Sequence, residues 1–208
     1  MQTDTFNGQS FTERKSDTYT VGDFVTFDGR PAVEIHVFEE NGEGATANSF
    51  NSREYFGGDG SIPEARLLGQ VEDRQNGSLR EIFRPGVLLR FNLDPGQNYF
   101  QSYDAIEEEV AADGTVLSSS TTPESLTITY VGRRIINVPA GSFSTCHFQL
   151  DFMETAPDGL TSTGIENIYV GVGNGIEILQ EGSFSYSDGS TESYRIELHE
   201  ATINGNPI

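Results

Sequence analysis

Short turn dipeptides divide this chain at nearly regular intervals. Asp-Gly stands at 28, 59, 113, 158 and 188, and Asn-Gly at 41, 76, 174 and 204. These pairs tolerate the positive φ angles that tight hairpin turns demand. With Asp94-Pro95-Gly96 and Pro139-Ala140-Gly141 they leave gaps mostly of 13 to 19 residues, enough for a strand and its approach but short for long amphipathic helices. The pattern predicts an all-β, mainly antiparallel meander: a curved sheet or incomplete β-barrel with few or no long helices.

At 208 residues one β-domain suffices. Residues 1–17 are polar and aperiodic, so they are expected to form a flexible lead-in, with a single β-domain over 18–208. Val33, Ile35 and Val37 alternate with Glu34, His36 and Phe38 after the first Asp-Gly turn, as one side of a hairpin would. Leu126, Ile128 and Tyr130 alternate with Thr127 and Thr129, and Cys146, Phe148, Leu150 and Phe152 alternate with His147, Gln149 and Asp151. Each such strand has one dry and one wet face. Tyr194, Ile196 and Leu198 repeat the pattern against Arg195, Glu197 and His199. Two stretches, from Ser61 and from Asp104, carry helix-cap signatures, but Gly69 and the Asn76-Gly77 turn favour strands there.

The charge balance is 12 basic against 32 acidic residues, a formal net charge of −20. Nucleic acid is excluded as a partner, because Arg133-Arg134 is too small a basic footprint to neutralise phosphates. No apolar run approaches the length of a transmembrane helix, and Met1 to Asp17 lacks the basic and apolar regions of a signal peptide.

The landmarks Val21-Gly22-Asp23, Phe91-Asn92-Leu93-Asp94-Pro95-Gly96, Val138-Pro139-Ala140-Gly141-Ser142-Phe143 and Tyr169-Val170-Gly171-Val172-Gly173-Asn174-Gly175-Ile176 follow one another in an order that resembles a group of uncharacterised bacterial exported proteins, periplasmic or lipoprotein-like. That group carries a "VPAGTF" turn and a "GVGLV" strand. The resemblance implies an architecture similar to lipoprotein-carrier half-barrels, with an apolar concave face, and an extracytoplasmic location whose signal peptide lies outside this numbering. It implies no catalytic residues. Asn174 and Gly175 depart from the pattern by interrupting the Gly-rich strand, and no lipid-bearing Cys stands near residue 1.

Chemistry-bearing residues are sparse. His36, His147 and His199 each fall on the wet phase of a strand, with no spacing that converges them on a metal. No Gly-x-Ser-x-Gly elbow and no Asp-x-Asp-x-Asp-Gly calcium loop occurs. Glu107 and Glu109 share a strand face about 7 Å apart, a spacing open to paired-carboxylate hydrolysis but common to any strand with acids two apart. Cys146 shares the phase of Phe148 and Leu150 and is expected to be a buried, inert thiol. The sequence thus predicts a non-catalytic exported β-domain with no cofactor and no metal. Its expected partner is a lipid-like or other apolar or amphipathic ligand, or an envelope protein. The alternatives are a carbohydrate-active hydrolase with paired carboxylates, and a structural or adhesive surface module.

Overall fold

The computed structural model describes residues 2–6, 9–13, 15–41, 48–58, 64–155, 159–204 and 206–207. The strands are β1 (Gln2–Phe6), β2 (Gln9–Glu13), β3 (Lys15–Phe27), β4 (Arg30–Asn41), β5 (Asn48–Gly57), β6 (Glu64–Arg74), β7 (Gly77–Arg90), β8 (Asn98–Ala111), β9 (Val116–Val138), β10 (Gly141–Thr155), β11 (Thr161–Gly171), β12 (Glu177–Tyr186) and β13 (Thr191–Glu197), with a small terminal pair β14 (Thr202–Ile203) and β15 (Asn206–Pro207). No helix occurs among the described residues. Strands β3 to β13 run as one antiparallel meander in sequence order, and the β1–β2 hairpin extends it beyond β13.

The turn dipeptides sit where the periodicity places them. Asp28-Gly29, Asn76-Gly77, Asp113-Gly114, Pro139-Ala140-Gly141 and Asp188-Gly189 each join consecutive strands. Asp28 itself adopts φ 47°, the conformation that Asn and Asp tolerate best after Gly. The pairs at 59 and 158 fall wholly or partly outside the described residues, as does the glycine of the pairs at 41 and 204. Of the two stretches with helix-cap signatures, the first is strand from Glu64 onward, with residues 61–63 outside the described residues, and 104–111 lies within β8.

One expectation is revised. Where a flexible lead-in is expected over residues 1–17, β1 pairs with β13 from Gln2↔Ile196 to Phe6↔Glu192, β2 pairs with β1, and β3 starts at Lys15. The polar composition hides these strands because sheet pairing satisfies backbone groups whatever the side chains. The Gly-rich stretch is interrupted, as Asn174 and Gly175 indicate. β11 ends at Gly171, Asn174 Oδ1 accepts from the Ile176 N–H at 3.1 Å, and the Gly171 N–H donates to the Ile176 carbonyl at 2.7 Å, closing a hairpin loop.

The sheet is curled but not closed into a barrel. Its outermost strands β2 and β3 lie at opposite ends of the strand order, yet only one residue separates them in the chain. Two peptide units span at most about 7.6 Å, so the two edges meet there. Residues paired in register share a face, and this rule places Tyr19, Glu54, Glu81, Tyr103, Glu124, Leu126, Phe152, Glu154, Glu166 and Phe184 on one side. Across that side the charge of Glu154 on β10 reaches Glu81 on β7, three strands away. The charge of Glu177 on β12 likewise reaches Tyr19 on β3. This is therefore the inner face of the curl. Desolvation ranks first among the influences that raise the Tyr19 phenol, but the residue is 62% exposed, so the carboxylates of Asp17, Glu54 and Glu177 are the firmer cause.

Apolar packing occupies both faces. Phe27, Ala32, Tyr55, Leu68, Val71 and Ile82 cluster on the outer face of β3–β7, where the Phe27 and Tyr55 rings stack at 4.1 Å. Phe83, Val87, Tyr103, Ala105, Leu126 and Ile128 cluster on the inner face, flanked by Tyr99, Phe148, Leu150 and Phe152. Ile82 and Phe83, adjacent in β7, point to opposite clusters, as strand pleating requires. The inner cluster supports the dry phases read from β9 and β10. Cys146 follows that phase but is only half-buried, with the Tyr130 hydroxyl 3.9 Å from its Sγ.

Gly141 holds φ 139° at the β9–β10 turn. A Cβ there meets nothing closer than the Phe143 ring at 3.7 Å, so the constraint is backbone conformation and not space. Gly141→Val is expected to cost at least about 1 kcal/mol, the scale of one backbone conflict. Urea denaturation checks this: an unchanged midpoint would remove the conformational role assigned to the turn.

Candidate functional site

A groove of about 240 Å³ opens on the inner face over β9 to β13, lined by Glu124, Phe152, Met153, Glu154, Ser162, Phe184, Tyr186 and Glu192. Register builds it from two rows. Glu124, Glu154, Ser162 and Tyr186 face one another across four strands. Beside them run Leu126, Phe152, Gly164, Phe184 and Glu192. Gly164 makes the second row possible, because a Cβ there would lie 2.2 Å from the Phe184 ring. Gly182 admits Tyr194 in the same way, at 2.6 Å. With the two glycines clearing space, the rings lie over the sheet: Phe184 and Tyr194 stack with centroids 6.1 Å apart, and Phe152 sits 6.2 Å from Phe184.

The carboxylates in and beside the groove take neutral donors. The Tyr103 hydroxyl donates to Glu124 at 2.6 Å, the Ser162 hydroxyl to Glu154 at 3.3 Å, and the Tyr186 hydroxyl to Glu192 at 2.9 Å. Deeper in the sheet, buried Glu166 accepts from Tyr194 at 2.5 Å and from the Gln180 amide. The outer face is different. There Arg53 pairs with Asp73 at 2.6 Å, Arg80 with Glu108, and Arg195 with Glu181 at 2.6 Å. On the inner face away from the groove Arg74 pairs with Glu72 at 3.0 Å and lies 3.9 Å from Glu109, but among the described residues no basic side chain lines the groove.

Burial pushes the Glu124 carboxyl above its usual range, and the nearby charges of Glu154 and Glu81 push it the same way. Burial, the Glu107 charge and the Glu154 charge do the same to Glu81. The Tyr186 phenol is pushed up to about 12 by burial and by its bond to Glu192. A carboxyl raised in the folded state favours folding while protonated, and that contribution is lost as pH rises through the folded value. Glu124→Gln, which keeps an acceptor for Tyr103 and removes a charge facing Glu154, is therefore expected to stabilise the protein at pH 7. The expected gain is about 0.5 kcal/mol, typical of a like-charge cross-strand pair. The gain should vanish below the ordinary glutamate value of 4.5, where the wild-type group is protonated. Melting curves at pH 7 and pH 4 check this, and an equal gain at both would remove the electrostatic cause.

The residues singled out by sequence do not assemble here. Glu107 and Glu109 share the inner face as expected, but Glu109 accepts from Ser118 at 3.3 Å and lies 3.9 Å from Arg74, and neither lines the groove. Glu108 points outward to Arg80. His36 lies 2.9 Å from Glu34, His147 stacks on Tyr169 at 4.3 Å, and exposed His199 follows β13. No group of three His, Cys, Asp or Glu among the described residues is arranged to hold a metal, and no helix is long and apolar enough to cross a membrane. The groove acids were detectable in principle. Glu124 continues the dry phase of Leu126 and Ile128, Glu154 that of Phe152, and Glu192 that of Tyr194 and Ile196.

No family model and no curated protein matches this chain. Among solved structures, a candidate exported protein with a YmcC-like fold from Bacteroides fragilis is similar, at 11% identity over 94% of this chain and 91% of its own, with a TM-score of 0.47.

Proposed function

We propose that this chain is a non-catalytic, exported β-module of a bacterial envelope or secretome that binds an amphipathic ligand in the inner groove. The observation that carries the binding is the composition of one open cleft, in which the rings of Phe152, Phe184 and Tyr186 stand beside polar Ser162 and the carboxylates of Glu124, Glu154 and Glu192. Such a mixture suits a ligand with an apolar body and a polar end, since rings left facing water forgo about 25 cal/mol for each Å² they would otherwise bury. The extracytoplasmic setting rests on the motif resemblance around Pro139-Ala140-Gly141, as does a carrier role.

Native mass spectrometry of gently purified protein, followed by solvent extraction, is expected to show a bound small molecule with an apolar body. Ser162→Trp, which fills the cleft from an inner-face position, should abolish the adduct. Absence of any adduct, and of uptake from an amphiphile library, would overturn the binding reading.

One observation favours a hydrolase as the second reading. Glu124 and Glu154 are direct cross-strand partners, and Glu124, whose carboxyl is raised above its usual range, is suited to act as a general acid beside a second carboxylate. The first reading is preferred because Tyr103 and Ser162 occupy these carboxylates, whereas a general acid must point its proton at the substrate. Glycosidase activity on a panel of aryl glycosides, lost in Glu124→Gln, would reverse that preference.

A further inference from the structure

We infer that the ligand of the inner groove is an organic cation with an apolar body, an alkyl or aryl ammonium, a step that rests on the binding reading above. The groove carboxylates differ from those elsewhere on the sheet in having no arginine partner. On the outer face, cross-strand arginines meet carboxylates at Arg53–Asp73, Arg80–Glu108 and Arg195–Glu181. In the groove, Glu124, Glu154 and Glu192 meet only the hydroxyls of Tyr103, Ser162 and Tyr186. Like charges directly opposite each other, as Glu124 and Glu154 are, weaken a sheet unless something neutralises them. Among the described residues none supplies a cation there, so the counter-charge comes with the ligand.

The rings narrow the class further. Phe152, Phe184 and Tyr186 share the groove with the carboxylates, and Phe184 and Tyr194 extend the aromatic surface across β12 and β13. An ammonium beside ring faces gains a quadrupole attraction that adds to its pairing with a carboxylate, and the attached methylenes cover the rings. A bare metal ion gains nothing from that apolar surface, and an anionic amphiphile meets three carboxylates. A volume of about 240 Å³ holds a head group and the first part of a chain, leaving the remainder to run along the inner face. The ammonium sits in the Glu124–Glu154–Ser162 row, and the apolar body crosses Phe152 and Phe184.

The test is a titration of the intact protein with three amphiphiles of one chain length, below their micelle concentrations: dodecyltrimethylammonium, dodecyl maltoside and dodecyl sulfate. The ammonium is expected to bind at least tenfold more tightly than the other two, with affinity falling as sodium chloride is raised. Glu154→Gln and Glu192→Gln should each weaken the ammonium severalfold and leave the maltoside unchanged. Ser162→Trp should abolish binding of all three. Equal affinity for the three amphiphiles would overturn the cationic assignment and leave the amphiphile reading intact. Failure of all three to bind would overturn both. Tight ammonium binding that survives Ser162→Trp in a folded variant would overturn the location.

Discussion

Replacing Gly69 with alanine is expected to cost about 3 kcal/mol or more. Gly69 sits in β6 at φ 154°, where the ladder with β5 and β7 shifts register, and the neighbouring Leu67 and Leu68 turn to opposite faces. A Cβ there would stand 2.2 Å from the Glu81 carbonyl oxygen and 2.7 Å from the Phe27 ring. The first neighbour is backbone and cannot swing aside, and the second is a core ring stacked on Tyr55. Backbone strain and overpacking each contribute on the order of 1–3 kcal/mol. At about 2–4 °C per kcal/mol for a chain of this size, the melting temperature should fall by roughly 10 °C. Calorimetry reads this directly. A drop of less than about 2 °C would mean that the register shift is not fixed by this glycine.

Leu126→Ala is the second large effect, and it connects the core to the groove. Leu126 is only 2% exposed, lies in the inner cluster, and faces Phe152 across β9 and β10. Truncating a leucine so enclosed costs about 2–5 kcal/mol, depending on how far the site collapses. Phe152 loses its support on that side, so amphiphile affinity is expected to fall together with stability. Leu126→Met, which preserves volume, should cost less than about 1.5 kcal/mol and leave affinity near the wild-type level. Equal losses for both variants would show that leucine shape, and not the filling of space, governs this position.

The meander was legible because its signals are local. Asp28-Gly29, Asn76-Gly77, Asp113-Gly114 and Asp188-Gly189 encode their turns through backbone conformation alone, and the apolar phase of Phe148, Leu150 and Phe152 records the face packed on the inner cluster. The β1–β2 hairpin was not legible, because its pairing partner β13 lies near the other end of the chain and its own residues carry no periodicity. The groove falls between these cases. Its acids come from β9, β10 and β13, so no spacing unites them, and Glu107-Glu108-Glu109 drew attention instead because its members are adjacent. What marks the groove acids is phase: each continues the dry side of a strand, where a charge without a counter-charge is costly. The consecutive glutamates alternate between faces, and Glu108 spends its charge on Arg80.

The central claim is that a cationic amphiphile lies in the groove between the Glu124–Glu154 row and the Phe152–Phe184 rings. Crystals of the protein grown with an alkyltrimethylammonium carrying bromine on the first carbons of its chain locate that ligand by anomalous scattering. The account predicts a bromine peak over Phe152 and Phe184, present in the wild type and missing in Ser162→Trp. A peak at the exposed Tyr19, Val21 and Phe24 of β3, or none in crystals soaked to saturation, would contradict it.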